Sequence, residues 1–220
     1  MKKIETRKKI ITKIFDKIGI NKKFYNFSES KINTDEKYIT SPVDGTIAYM
    51  GKIGAQGEFI SKGGKKVDLG NLIGENAVLF SDYNYLNIYL SPLNRHFFTM
   101  PYDGKIEKVF PHNGKAFFPI FLGIENILKI EVFHKAIIAN ATLSILIDTS
   151  FGKLCFIAVG SLNVNHIETY FEENNILKKG EIFGNFSLGS SVILIFPNNF
   201  KVLKNEGESL KIGEKIIEII

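Results

Sequence analysis

The run FSLGSSVILIF, residues 186–196, decides how this 220-residue chain is read. With the two-residue period of a strand, Phe186, Leu188, Val192, Leu194 and Phe196 share one apolar face, and Ser190 stands in the middle of it. Gly189, directly before it, weakens strand pairing and marks a bulge or a close approach of backbone. A hydroxyl where a hydrophobe belongs, set behind a glycine, calls for a chemical reason.

Outward from that run the chain reads as short β-rich segments separated by Gly, Pro, Asn and Asp: GTIAYMG, NAVLF, NYLNIYLS, GKIEKVF, ATLSILIDT, KLCFIAVG, SVILIF and EKIIEII. No long helical period interrupts them, so the class is mainly β. Residues 42–47 and 101–106 share the pattern P-x-D-G-x-I. In each, an Asp-Gly turn feeds a strand, the Asp bonding nearby backbone and the Gly accepting angles other residues resist. The tail NEGESLKIGEKIIEI has the G-x-x-L-x-x-G-x-x-I cadence of biotinyl- and lipoyl-type β modules. Together these predict a barrel-sandwich-hybrid-like β domain with pseudo-repeated halves over residues 38–220.

At 45% hydrophobic and 12% aromatic residues the chain is able to build a substantial core. Its apolar runs are much shorter than the roughly 20 residues of a membrane-spanning helix, and the basic N-terminus lacks the uninterrupted apolar stretch of a secretory signal. The net charge of +5 is an N-terminal property: residues 1–23 carry nine Lys or Arg against Glu5 and Asp16. On a helical wheel Ile4, Ile10, Ile11, Ile14, Phe15 and Ile18 fall within about 140°. Residues 1–24 therefore read as a basic amphipathic helix, and residues 25–37 as a polar linker. Such a helix lies either on its own domain or in a membrane interface, where lysines favour anionic headgroups. Nucleic acid is set aside as a partner, because no surface of interleaved aromatic and basic residues follows the helix.

Several chemistries find no support. There is neither GxGxxG nor GxxxxGK[ST] for phosphate binding, and the serine pair lacks the GxSxG setting of a hydrolase. His96, His112, His134 and His166 are too scattered for metal-ligand spacing, so no metal is expected. The single cysteine, Cys155, lies in an apolar run and reads as an inert core thiol.

The segments SPVDGTI (41–47), YLSPLNRHFFTMP (89–101), FGKLCFIAVGSLNVNHIET (151–169) and KKGEIFGNFSLGSSVILIF (178–196) resemble, in that order, the phosphatidylserine decarboxylase family. The resemblance implies a pyruvoyl-dependent carboxy-lyase that makes its own cofactor. Ser190 Oγ would attack the Gly189 carbonyl, and the resulting ester would eliminate to leave a pyruvoyl group at position 190. The chain would be cut into residues 1–189 and 190–220, which stay together as partners. Phosphatidylserine would join the pyruvoyl group as a Schiff base and lose CO2, leaving phosphatidylethanolamine. By the same resemblance Asp44 is the aspartate of self-processing, expected to orient a base, and His96 is the proton donor or base. Ser191 and Thr99 are supporting residues. The substrate and the basic helix together place the chain peripherally on the anionic cytoplasmic face of a cell membrane; assembly as a homo-oligomer is left open.

Two departures stand out. Longer bacterial members carry a second histidine three residues after the first, where this chain has Thr99, although shorter members with SPLNxH also lack it. The family's NER segment aligns with Asn140-Ala141-Thr142, so an expected acidic and basic pair is missing. Either His96 serves both processing and turnover, or processing is slow or absent. A non-processing lipid-surface protein and a pyruvoyl decarboxylase of another headgroup are the alternatives.

Overall fold

The computed structural model describes residues 30–61, 64–91, 93–114, 118, 120, 133–161, 167–186 and 190–220. The predicted N-terminal helix, the first part of the linker, His166 and Gly189 lie outside them. In chain order the strands are β1 (Tyr38–Thr40), β2 (Gly45–Lys52), β3 (Glu58–Ile60), β4 (Lys66–Asp68), β5 (Asn84–Leu90), β6 (Phe97–Thr99), β7 (Gly104–His112) and β8 (Thr142–Thr149). They continue as β9 (Gly152–Gly160), β10 (Ile167–Thr169), β11 (Ile176–Leu177), β12 (Ile182–Phe186), β13 (Ser190–Phe196), β14 (Lys201–Val202), β15 (Ser209–Leu210) and β16 (Lys215–Glu218). Two short helices, α1 (Gly70–Ile73) and α2 (Phe133–Ala139), accompany them.

The main sheet has the order β11-β7-β8-β9-β13-β5-β2-β15 and does not close into a barrel. Two three-stranded sheets, β1-β16-β14 and β10-β12-β6, pack on one face through Ile39, Ile217, Phe98, Phe183 and Phe186. The other face is covered by the β3-β4 hairpin, α1 and α2, with Phe59, Leu72 and Ile137 in a second core. β13 is buried at all seven positions because β5 and β9 flank it and both its faces are covered. Val192, Leu194 and Phe196 enter the first core, Ile193 and Ile195 the second.

FSLGSSVILIF is therefore not one strand. Phe186 ends β12 in a small sheet and Ser190 begins β13 in the large one, so the run crosses from one layer to the other. NAVLF is a second correction: it lies in a 3-10 helix, Gly74–Phe80. Its buried side chains are Ala77 and Phe80, three apart, whereas Val78 is 70% exposed, a helical and not an alternating pattern.

The expected pseudo-repeat is present and is nested. A second copy, β6 to β12, is inserted between β5 and β13 of the first, and the dyad runs between β9 and β13. In one copy β2 pairs with β5 and shifts register between Ile47 and Tyr49; in the other β7 pairs with β8 and shifts between Ile106 and Lys108. The two Asp-Gly turns interlock at the junction. Thr40 N–H donates to Pro101 O at 3.0 Å, and Thr99 N–H donates to Pro42 O at 2.8 Å. Both threonine hydroxyls reach the same carbonyls, at 3.1 and 3.3 Å.

The turn glycines allow this close approach. A Cβ on Gly45 would sit 2.6 Å from Tyr89 O, and one on Gly104 would sit 2.9 Å from Asp148 O and 2.6 Å from Ile147 Cγ2. Gly104→Ala is expected to lower the unfolding free energy by about 1–3 kcal/mol without changing the denaturant slope. An unchanged urea midpoint would show that the turn has room to spare.

Candidate active site

Ser190 opens β13, where it pairs with Leu90 of β5 and Gly160 of β9. Its side chain shares the face of Val192 and Leu194, and its Oγ is buried with no hydrogen-bond partner among the described residues. A buried hydroxyl of this kind sacrifices its hydration, roughly 1–3 kcal/mol, unless something else uses it. Ser191 points to the opposite face and is satisfied there, its Oγ 3.0 Å from Ile88 O and 3.1 Å from Asn87 Oδ1. The two serines of the Gly-Ser-Ser run thus have different environments: one is structural and one is left available.

The loop after β5 supplies the titratable groups. His96 is 1% exposed and sits edge-on to Phe186, with ring centroids 6.4 Å apart. Its carbonyl accepts the Phe186 N–H at 2.9 Å, which ties it to the last residue of β12, just before the crossing to Ser190. Nδ1 lies 2.8 Å from Asn94 O. A carbonyl only accepts, so neutral His96 carries its proton on Nδ1 and its lone pair on Nε2. Burial pulls its pKa down to about 4, against the opposing Asn94 bond and Asp44 charge, so the imidazole is neutral near pH 7.

Asp44 is 4% exposed and fully engaged. Arg95 donates to it from Nε at 2.6 Å and from Nη2 at 2.8 Å, and Ile212 N–H donates at 2.9 Å. Burial alone would raise this carboxyl; the Arg95 fork, the Ile212 amide and the Arg95 and Lys211 charges outweigh it and hold the pKa below its ordinary value. Arg95 Nη1 also donates to Ser30 Oγ at 2.6 Å. Asp44 therefore orients Arg95, the residue next to His96, and no bond joins it to the imidazole itself. Thr99, in the place of the second histidine, spends its hydroxyl on the Pro42 carbonyl of the Asp44 turn.

Sequence reading passed over Arg95 and the role of Asn140. The signal for Arg95 was there: a buried aspartate needs a cation, and an arginine adjoins the candidate histidine. Asn140, also 1% exposed, donates to Gly160 O at 2.8 Å, the residue paired with Ser190. It also bonds both backbone groups of Phe118, at 2.8 and 2.9 Å. Among the described residues no group of three or more His, Cys, Asp or Glu could hold a metal.

A profile of the phosphatidylserine decarboxylase family matches residues 20–218. The phosphatidylserine decarboxylase proenzyme of Francisella philomiragia is 32% identical over 189 residues, covering 76% of this chain and 64% of that protein. The proenzyme of Coxiella burnetii is 30% identical over 185 residues, 75% of this chain and 63% of its own length. That of Bacillus thuringiensis is 30% identical over 190 residues, 84% and 70%. The chain thus spans just under two thirds of the first two relatives. With the four motif segments, the interlocked turns and a buried serine at the head of a central strand, the chain belongs to the phosphatidylserine decarboxylase family.

Proposed function

We propose that this chain is a phosphatidylserine decarboxylase whose working form arises by self-cleavage between Gly189 and Ser190. The observation that carries the reading is the Ser190 hydroxyl at the start of β13, buried and without a hydrogen-bond partner among the described residues. A core position tolerates such a group when chemistry needs it.

In the self-cleavage, Ser190 Oγ attacks the Gly189 carbonyl and its proton passes to His96 Nε2. The peptide nitrogen, protonated in turn, leaves as the Ser190 amine, and an ester remains. Loss of the Ser190 Cα proton then breaks the ester at Cβ, giving a Gly189 carboxylate and a dehydroalanine. Tautomerisation, addition of water and release of ammonia leave a pyruvoyl group at position 190. The N-to-O shift forfeits amide resonance and is uphill, so a neutral base and a fixed backbone are the two things the site must supply. The depressed His96 pKa and the bonding of Phe186 and Asn140 to its surroundings support both.

A pyruvoyl group suits position 190, since its methyl, the former Cβ, would stand on the buried apolar face shared with Val192 and Leu194. Such a group supplies a carbonyl that condenses with the substrate amine and takes up the electrons left when CO2 departs. The chain's own part is to exclude water, with Phe186, Phe98 and Leu90 buried around the site, and to move one proton. His96 Nε2, charged only at a cost within this apolar setting, readily returns a proton to the carbon that has lost CO2. Asp44 and Arg95 position that imidazole through the Asn94–His96 backbone. Phosphatidylserine and an anionic membrane surface are the partners this reading requires, with residues 1–24 as the membrane contact; no helix among the described residues is long and apolar enough to cross a bilayer.

Intact mass is expected to show fragments 1–189 and 190–220, the second with a blocked N-terminus, and Ser190→Ala to leave the chain whole. An unsplit wild-type chain after prolonged incubation would overturn the reading in favour of a non-processing lipid-surface protein. Thr99→His leaves the Pro42 carbonyl with one donor fewer. It is expected to speed cleavage only if a second base limits the rate, which a time course of fragment appearance measures.

Arg95→Ala leaves Asp44 buried without its arginine, held by the Ile212 amide, and is expected to cost about 3 kcal/mol in urea denaturation. The pH dependence follows from both shifts. A folded pKa of about 4 against an ordinary 6.5 means that His96 contributes stability above pH 6.5. That contribution is lost as pH falls towards 4, with Asp44 adding a further loss at lower pH. Uncleavable Ser190→Ala protein should show this acid slope, and His96→Gln should remove its upper part.

A further inference from the structure

The nested repeat builds the frame of the candidate active site twice. Asp103 and Gly104 stand where Asp44 and Gly45 stand in the first copy, and like Asp44 the Asp103 carboxylate accepts a backbone N–H, from Lys179 at 2.8 Å, and a cation, Lys178 at 2.8 Å. Ser190 pairs with Leu90 in the first copy; its counterpart pairing is Gly152 with Thr149. Counting back from the interlocked Thr40 and Thr99, Lys37 replaces His96 and Glu36 replaces Arg95. The second copy thus keeps the aspartate turn and lacks the nucleophile, the imidazole and the arginine.

At this second position the structure has a cavity of about 620 Å³. Its walls include Thr34, Glu36, Lys105, Thr149, Ser150 and Lys179. Two carboxylates on the wall are already used, Asp103 by Lys178 and Asp148 by Lys153. Lys179 is half-buried and donates to the carbonyls of Asp35 and Tyr38, at 2.8 Å each, over the face of Tyr102, with the carboxylates of Asp103, Asp35 and Glu36 near enough to act on its charge. Lys105 and Glu36 have no ion-pair partner among the described residues. Two ammonium groups without a direct ion pair among the described residues, Lys105 and Lys179, the Thr34 and Ser150 hydroxyls and the Glu36 carboxylate therefore line the same space.

We propose that this cavity is a second, non-catalytic site for a small amine-bearing phosphate, its oxyanion held by Lys105 and Lys179 and its ammonium by Glu36. The chemistry is that of phosphoethanolamine or phosphoserine, whether as a soluble ester or as a lipid headgroup. The site touches the first through one stretch of chain. Ser30 bonds Arg95, Ile32 packs against Gly180 and Gly213, the dyad-related turn glycines, and Thr34 and Glu36 reach the cavity.

The test uses the full chain carrying Ser190→Ala, so that it is independent of cleavage and decarboxylation, which are read separately on the unsubstituted chain. Phosphoethanolamine is titrated while backbone amide resonances are followed. The expected result is saturable shifts at Gly104, Lys105 and Ser150, with a Kd of about 1 mM or tighter. Lys105→Glu should weaken binding about tenfold, and Glu36→Gln should weaken it about fivefold while reducing the preference over inorganic phosphate. Lys105 is an exposed strand residue without a partner, so its variant should melt like the parent. Glu36→Gln carries the test if it does not. Vesicles of phosphatidylethanolamine that perturb the same amides assign a lipid source; soluble binding without that effect assigns a free ester. No saturable shift at these amides, shifts unaffected by both variants, or equal binding of inorganic phosphate would each overturn the proposal.

Discussion

The reciprocal hydrogen bonding of the two Asp-Gly turns, Thr40 to Pro101 and Thr99 to Pro42, is the constraint on which the molecule depends. It joins the copies of the repeat at backbone level, where a side-chain change cannot easily undo it. From these turns β2 and β7 depart into opposite halves of the large sheet. The glycine that starts each strand lies too close to the neighbouring backbone for a Cβ. With the turns fixed, the aromatic group of Phe98, Phe156, Phe183 and Phe186, ring centroids 4.8–5.3 Å apart, clamps a small sheet to the large one. Ser190 enters the structure at the edge of that clamp.

Thr99 gains its meaning from the same constraint. Viewed alone, it is a missing histidine. In the structure it is the dyad mate of Thr40, and its hydroxyl shares a carbonyl with its own amide. Before it in the chain stands His96, whose burial favours the neutral imidazole and whose Nδ1 bond directs the lone pair to Nε2. Asp44 is held as an anion by the Arg95 fork, while burial keeps His96, the residue next to that arginine, neutral against the pull of the Asp44 charge.

Much of this was legible in the chain. The P-x-D-G-x-I echo marked both halves, the β class followed from short punctuated apolar runs, and Ser190 stood out as a hydroxyl on an apolar face, which is where the structure buries it. Arg95 was visible yet unassigned, since only a structure reveals that the aspartate it neutralises lies across a turn fifty-one positions away in sequence. The 3-10 helix at Gly74–Phe80 escaped because a short apolar run carries no clear period, and burial at Ala77 and Phe80 is fixed by what packs above them. FSLGSSVILIF misled for a related reason: alternation continues through a crossing between sheets just as it does along one strand.

The sequence by itself determined the repeat, the serine behind a glycine and the family, because these rest on local spacing and on residue types that few other roles require. Tertiary structure alone decided that one serine of the pair is buried without a partner among the described residues, that His96 is neutral and that Asp44 is clasped by Arg95. Each of those depends on burial and on contacts between distant segments, and the free energy of a charge or a hydroxyl is set by its surroundings, which no stretch of sequence contains.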